Sequence, residues 1–285
     1  MTTSKTTSDD PGSAPGEGPG GAGAAVPAGA RMFTPAPGAA PVLRMVAAQA
    51  GMELRALLRN GEQLLLVLVI PVGLLALFSL APLLDLGSGS RVGFLAPGVL
   101  ALAVMSTAFT GQAIGTGFER KYGVLKRLGA TPLPRAGLLA AKTAAVLAVE
   151  AGQVVVLGAV ALALGWHPHG GADGALSVLL LLLLGTAAFS GLALLMAGTL
   201  RAEATLAGAN LVYLLLLGLG GVAFPLSRYP AAMQPVLHAL PISALADGLR
   251  AVLRHGAALP AYDLLVLAVW AAAALGLAAR TFRWE

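Results

Sequence analysis

Few residues in this chain could carry chemistry, and the most demanding of them is Glu150. It stands well inside a long apolar stretch, 136–164, where a carboxylate is costly and by default marks function. Gln153 follows three residues later on the same helical face. Gln112 and Asn210 add amides within two other apolar stretches. Together these four side chains are candidates for lining a polar route through an apolar bundle. The plainer alternative is a Glu150 hydrogen-bonded to an amide, which only locks two helices together.

Enzyme chemistry has no foothold. The chain has no Gly-Lys dipeptide, so it lacks a P-loop and cannot itself cradle ATP phosphates. Neither GxSxG nor HExxH occurs. Asp9 and Asp10, the adjacent acids, fall in a low-complexity terminal stretch. With no cysteine, thiolate metal sites and disulfides are excluded. His167 and His169 lie two apart with no further ligand nearby, which reads as an exposed loop rather than a metal site. We expect no catalytic residue and no metal ligand in this chain.

The second concentration of chemistry is the run FERKYGVLKRLGATPLPR, 118–135. It carries Arg120, Lys121, Lys126, Arg127 and Arg135 with Glu119 as its only acid. Read as one helix, it puts Phe118, Tyr122, Leu125 and Gly129 on a common face, with Val124 and Leu128 beside it. Gly129 and Pro132 end it. Such a short amphipathic, basic element can rest on lipid headgroups or dock into a soluble partner.

The elements that must position these residues follow from composition. Apolar residues make up 57% of the chain and charged residues 11%, against roughly 45–50% and about 25% in soluble domains. That balance specifies an all-α polytopic membrane protein. The net charge of +5 is no sign of nucleic-acid binding, because the bases sit where topology needs them. Residues 1–41, rich in Gly, Pro, Ala, Ser and Thr, are expected to form a disordered cytoplasmic tail without the h-region of a signal peptide. Residues 42–59 carry a stripe of Leu43, Val46, Ala50, Leu54, Leu57 and Leu58, the pattern of a helix lying in the interface. Six spans are expected, at about 63–84, 92–117, 136–164, 175–200, 205–224 and 262–279. Pro71 is expected to kink the first, and Gly111 with Gly115 to give the second a close helix contact.

Residues 225–260 are too apolar for a solvated loop and too long for a turn. They read as short helices that re-enter or cap the bundle. Ile242, Leu245, Leu249 and Val252 form one stripe there, with Asp247, Arg250 and Arg254 opposite. Of the 18 Lys and Arg, only Arg91, Arg228, Arg250 and Arg254 fall outside the segments that this topology assigns to the cytoplasm. The bias therefore places both termini and the basic loop inside.

This combination resembles the permease subunits of ABC type-2 exporters, in the drug-resistance branch common in actinobacteria. The likeness covers roughly 42–285. It is most specific over ERKYGVLKRLGATPLPR, followed at family-like spacing by Lys142; LPISALADGLRAVL and the terminal FRW add to it. The long tail before Val42 is outside the family's pattern. The resemblance implies that 42–59 is the elbow helix and 118–135 the coupling loop. It implies an ATPase-docking role for Glu119, Arg120, Tyr122, Gly123, Leu125, Arg127 and Leu128. It further implies two permease copies, identical or paralogous, in the plasma membrane. ATP and Mg would be bound by separate cytoplasmic ABC ATPase subunits, with no cofactor in this chain.

The function expected is therefore export of a hydrophobic or amphipathic compound, driven by ATP hydrolysed on another subunit. A proton-coupled secondary transporter using Glu150 is the alternative, although no inverted repeat is evident. A membrane scaffold that transports nothing is the third.

Overall fold

The structure is a computed structural model and describes residues 38–81, 90–222, 224–257 and 259–282. The expected tail over 1–37, most of the loop 85–91 and the terminal Arg283 lie outside the described residues. Chain contacts group Ala40–Glu285 into one unit.

Every regular element among the described residues is helical. Helix α1 spans Val42–Arg59 and α2 spans Gly61–Leu80, with Pro71 inside it. The next apolar stretch runs unbroken from Arg91 to Lys121 but is not a plain α-helix. It consists of α3 (Arg91–Val104), a π-helical segment (Met105–Gly111) and α4 (Gln112–Lys121). Then follow α5 (Val124–Gly129), α6 (Arg135–Ala163), α7 (Gly171–Thr199) and α8 (Ala202–Leu219). Beyond a single 3₁₀ turn, Leu226–Arg228, come α9 (Gln234–His238), α10 (Pro241–Leu253) and α11 (Ala261–Thr281).

Among the described residues, five helical stretches are long and apolar enough to cross a membrane: Arg91–Lys121, Arg135–Ala163, Asp173–Thr199, Ala202–Leu219 and Ala261–Thr281. In α2 the apolar part is shorter, Val67–Leu80. The chain is thus a multi-pass helical membrane protein.

The core forms around α3, whose residues from Val92 to Val104 are all buried. A helix apolar on every side has no face to give to solvent, so it takes the centre. Around it pack α2, α6, α7 and α10. Helix α7 also lies against α11, where a Cβ on Gly191 would come within 2.8 Å of both Ala274 Cβ and Leu275 N. The close contact expected at Gly115 is not there: a Cβ at that position would meet nothing within 4 Å. Gly111 and Gly115 instead border a small cavity. The close approach on this stretch falls at Gly98, against Arg250 and Val222.

In the segment before the last span, Ile242, Leu245, Leu249 and Val252 are fully buried, as their stripe requires. Arg250, expected on the face opposite that stripe, is buried as well. It is 6% exposed and stacks 4.0 Å from the Phe94 ring centroid. Its guanidinium donates to Val222 O at 2.7 Å and to Asp247 Oδ1 at 3.1 Å. A loop carbonyl left without a helical partner recruits the charge inward.

Candidate functional site

The basic run does not form one helix. Helix α4 stops at Lys121, and Gly123 takes a left-handed conformation (φ 73°) before α5 begins. Glycine adopts this region without steric penalty, which explains the break in mid-pattern. The break rotates Tyr122 and Leu125 off any common face: Tyr122 is 70% exposed, and Leu125 is fully buried. Leu125 packs in a separate apolar cluster with Leu133, Leu138, Leu139, Leu194 and Phe282, with Leu128 at its edge. The loop is therefore anchored by its own apolar residues against α6, α7 and the end of α11.

Polar contacts brace the same loop. Arg120 donates to Ala197 O at 3.0 Å and to Leu200 O at 2.8 Å. These carbonyls close α7, where orphan acceptors and the helix dipole both favour a cation. Lys121 pairs with Glu203 at the start of α8. Glu119 faces Lys142 on α6, with Oε2 at 2.6 Å from Nζ, and Lys142 also reaches Glu53 Oε2 on α1 at 3.0 Å. Gln49 Nε2 donates to the other oxygen of Glu53 at 2.8 Å. Lys142 is 4% exposed, so this ion pair joining three helices is screened little by water. Beside it lies a cavity of about 70 Å³ bordered by Glu53, Gln112, Thr116, Glu119 and Lys142. The Gln112 amide and the Thr116 hydroxyl are buried there without a protein partner.

The expected site residues thus divide. Glu119, Arg120, Leu125 and Leu128 hold the loop to the bundle, and Gly123 shapes it. Tyr122 and Arg127 are exposed, with Val124 beside them. The four polar residues within the spans do not converge. Gln153 accepts from Thr107 on the π-helical segment at 3.0 Å and donates to Val67 O on α2 at 3.0 Å. Thr107 borders the same cavity as Gln112. Glu150 turns to α7, where Thr186 is its partner and its Oε1 has none. Asn210 is exposed on α8 and donates to Leu206 O of its own helix.

Sequence reasoning passed over Gln49 and Glu53. Their i, i+4 spacing on the face that carries Val46, Ala50 and Leu57 was the available signal. Lys142 was noticed only as a companion of the loop, and nothing in the pattern announced the π-helical segment.

Among the described residues, ion pairs and apolar anchors join a basic loop to membrane-crossing helices. That is the class of a multi-pass membrane protein whose basic loop is braced against its helices. The chain belongs to the ABC-2 type transporter family, whose profile matches residues 49–253. That range takes in the basic loop, Lys142, Glu150 and α10. No curated protein matches the chain. Membership makes it a transporter permease, with association to an ABC ATPase and a membrane setting.

Proposed function

We propose that this chain is the permease subunit of an ATP-driven exporter that moves a hydrophobic or amphipathic compound out of the cytoplasm. ATP and Mg would be held by a separate ATPase subunit. The observation that carries this reading is the loop 118–135, tied to α1, α6, α7 and α8 yet presenting Tyr122, Val124 and Arg127 outward. A surface so braced transmits a push from a docked ATPase instead of absorbing it. Contacts that differ between the two nucleotide states would then bias the spans between inward- and outward-open forms.

In this reading α2 is the first of six spans and α1 the elbow helix. Both termini face the cytoplasm across the plasma membrane, and a second permease copy, identical or paralogous, completes the route. The exposure of Asn210 on α8 supports a seam there, with Gln112, Gln153 and Glu150 deeper in each copy. The likeness of 119–135 to the drug-resistance branch favours a drug-like metabolite or a lipid as substrate.

The test is co-purification from detergent of the tagged chain, expressed with its neighbouring genes, as wild type and as a Tyr122→Asp, Val124→Asp variant. Both positions are exposed, so the variant inserts and elutes as wild type does. Retention of a nucleotide-hydrolysing subunit by wild type and its loss from the variant is the expected result. An inserted wild type that brings down no ATPase would sink the proposal.

A further inference from the structure

Helices α6 and α11 both pack on α7, and a groove of about 510 Å³ opens between them. Leu139, Thr143 and Leu147 border it from α6, and Leu275, Gly276 and Ala279 from α11. Thr143 donates its hydroxyl to Leu139 O at 3.0 Å, which leaves the α6 wall apolar. On the other wall, a Cβ on Gly276 would meet nothing within 4 Å, so that side stands open.

The groove ends in positive charge. Residues four apart on a helix share a face, so Arg135 precedes Leu139, and Arg280 follows Gly276, on the rows that border it. Both arginines are exposed. Leu138 and Leu139 share an apolar cluster with Ala278 and Phe282, which fastens α6 to α11 at this end and puts both arginines at the same mouth. Length then narrows the occupant. From Ala136 to Leu147 the α6 wall measures about 16 Å at the helical rise per residue. That is roughly half of a hydrocarbon core, the depth of one leaflet. A partner's spanning helix would need a seam twice as long, whereas an acyl chain needs this one.

We propose that this groove binds an anionic phospholipid from the leaflet on the basic-loop side. One acyl chain lies between α6 and α11, and Arg135 and Arg280 hold the phosphate at the mouth. A guanidinium offers a phosphate two parallel donors, and a basic pocket between spanning helices selects an anionic headgroup over a zwitterionic one. Arg135 closes the basic loop and Phe282 packs with Leu125 of that loop, so the bound lipid would stiffen the loop's anchorage. The site stands independently of the ATPase reading.

The experiment uses the full purified chain in nanodiscs of equal parts phosphatidylglycerol and phosphatidylcholine, with the retained lipid read by native mass spectrometry. Wild type is compared with the double variant Arg135→Gln, Arg280→Gln and with Ala144→Trp, which fills the groove from its lining. Ala159→Trp, farther along α6, is the control. All four positions are exposed, and melting in detergent shows that each variant is folded. Each arginine is expected to contribute about a five-fold preference for phosphatidylglycerol, so the double variant should retain both lipids alike. Ala144→Trp should retain less of both, and Ala159→Trp should match wild type. A wild type without preference, a preference that survives in the double variant, or retention unchanged in Ala144→Trp overturns the proposal. So does an elution volume that changes in Ala144→Trp and not in Ala159→Trp, which would make the groove a contact between copies. Glycerol 3-phosphate, a headgroup without a chain, should leave the melting point of wild type in detergent unchanged. Protection by it would show a phosphate site that needs no groove and would also overturn the proposal.

Discussion

Lys142 on α6 and Glu119 at the foot of α4 meet at 2.6 Å, although they stand 23 positions apart in sequence. Their contact closes the loop at its base, as a clasp closes a ring. Glu53 on α1 shares the same ammonium at 3.0 Å, so the first helix is drawn into the clasp. Any displacement of the loop relative to the spans must stretch or re-form these pairs.

Replacing Lys142 by Met leaves Glu53 and Glu119 facing each other without their cation. Removing one member of a buried ion pair costs about 3–5 kcal/mol, whereas replacing all members by neutral groups is often close to neutral. Lys142→Met should therefore melt well below wild type in detergent. The triple variant Lys142→Met, Glu53→Gln, Glu119→Gln should recover most of that loss. A triple variant no more stable than the single one would show that packing at Lys142, not charge, is what matters.

The loop's apolar anchor and its outward face can be separated by paired substitutions. Leu125 is fully buried, so Leu125→Ala should cost about 2–5 kcal/mol in stability. Tyr122→Ala, at an exposed position, should leave the melting point near wild type and weaken ATPase retention. Equilibrium unfolding and pull-down on the same two proteins read the two effects apart.

Gly123→Ala is a test of backbone alone. A Cβ there would meet nothing within 4 Å, yet the φ of 73° is unfavourable for alanine. The penalty is about 1–2 kcal/mol, and Gly123→Asn should cost less because asparagine tolerates this region better. Thermal melts that rank glycine above asparagine above alanine are the expected order.

Much of this fold was legible in the sequence because lipid imposes long apolar helices, and their ends fall close to the apolar boundaries. The buried stripe of α10 was legible for the same reason, since period alone sets which side chains share a face. Arg250 was not. Its inward turn depends on Val222 O, which only the folded loop presents. The split at Tyr122 and Gly123 hid inside an otherwise continuous helical period, and a single glycine is a weak signal of a break. Glu53 was passed over because its partner Lys142 lies 89 residues away, beyond any local pattern.

The contact between Gly98 and Arg250 predicts a steric effect far from the loop. A Cβ on Gly98 would come within 2.7 Å of Arg250 Nη2 and 2.8 Å of Val222 O, wedging apart a buried hydrogen bond. Gly98→Ala should cost about 1–3 kcal/mol, as overpacking does in a close-packed core. Gly115→Ala, on the same stretch with open space around it, should be neutral or slightly stabilising. Thermal melts of the two alanine variants, purified in parallel, check the contrast.

Glu150 separates an ATP-driven permease from a carrier that moves protons on this residue. Its partner is the Thr186 hydroxyl, and glutamine can keep that hydrogen bond through its amide oxygen. If Glu150 only joins α6 to α7, Glu150→Gln should insert normally and melt within about 1 kcal/mol of wild type. ATP-dependent efflux from inside-out vesicles should also be retained. A carrier would behave otherwise: glutamine cannot pick up and release a proton, so transport would stop while insertion stayed intact. Measuring efflux with ATP alone, and then with a proton gradient alone, assigns the driving force. Efflux that persists in the variant under ATP and is absent under the gradient is the expected result.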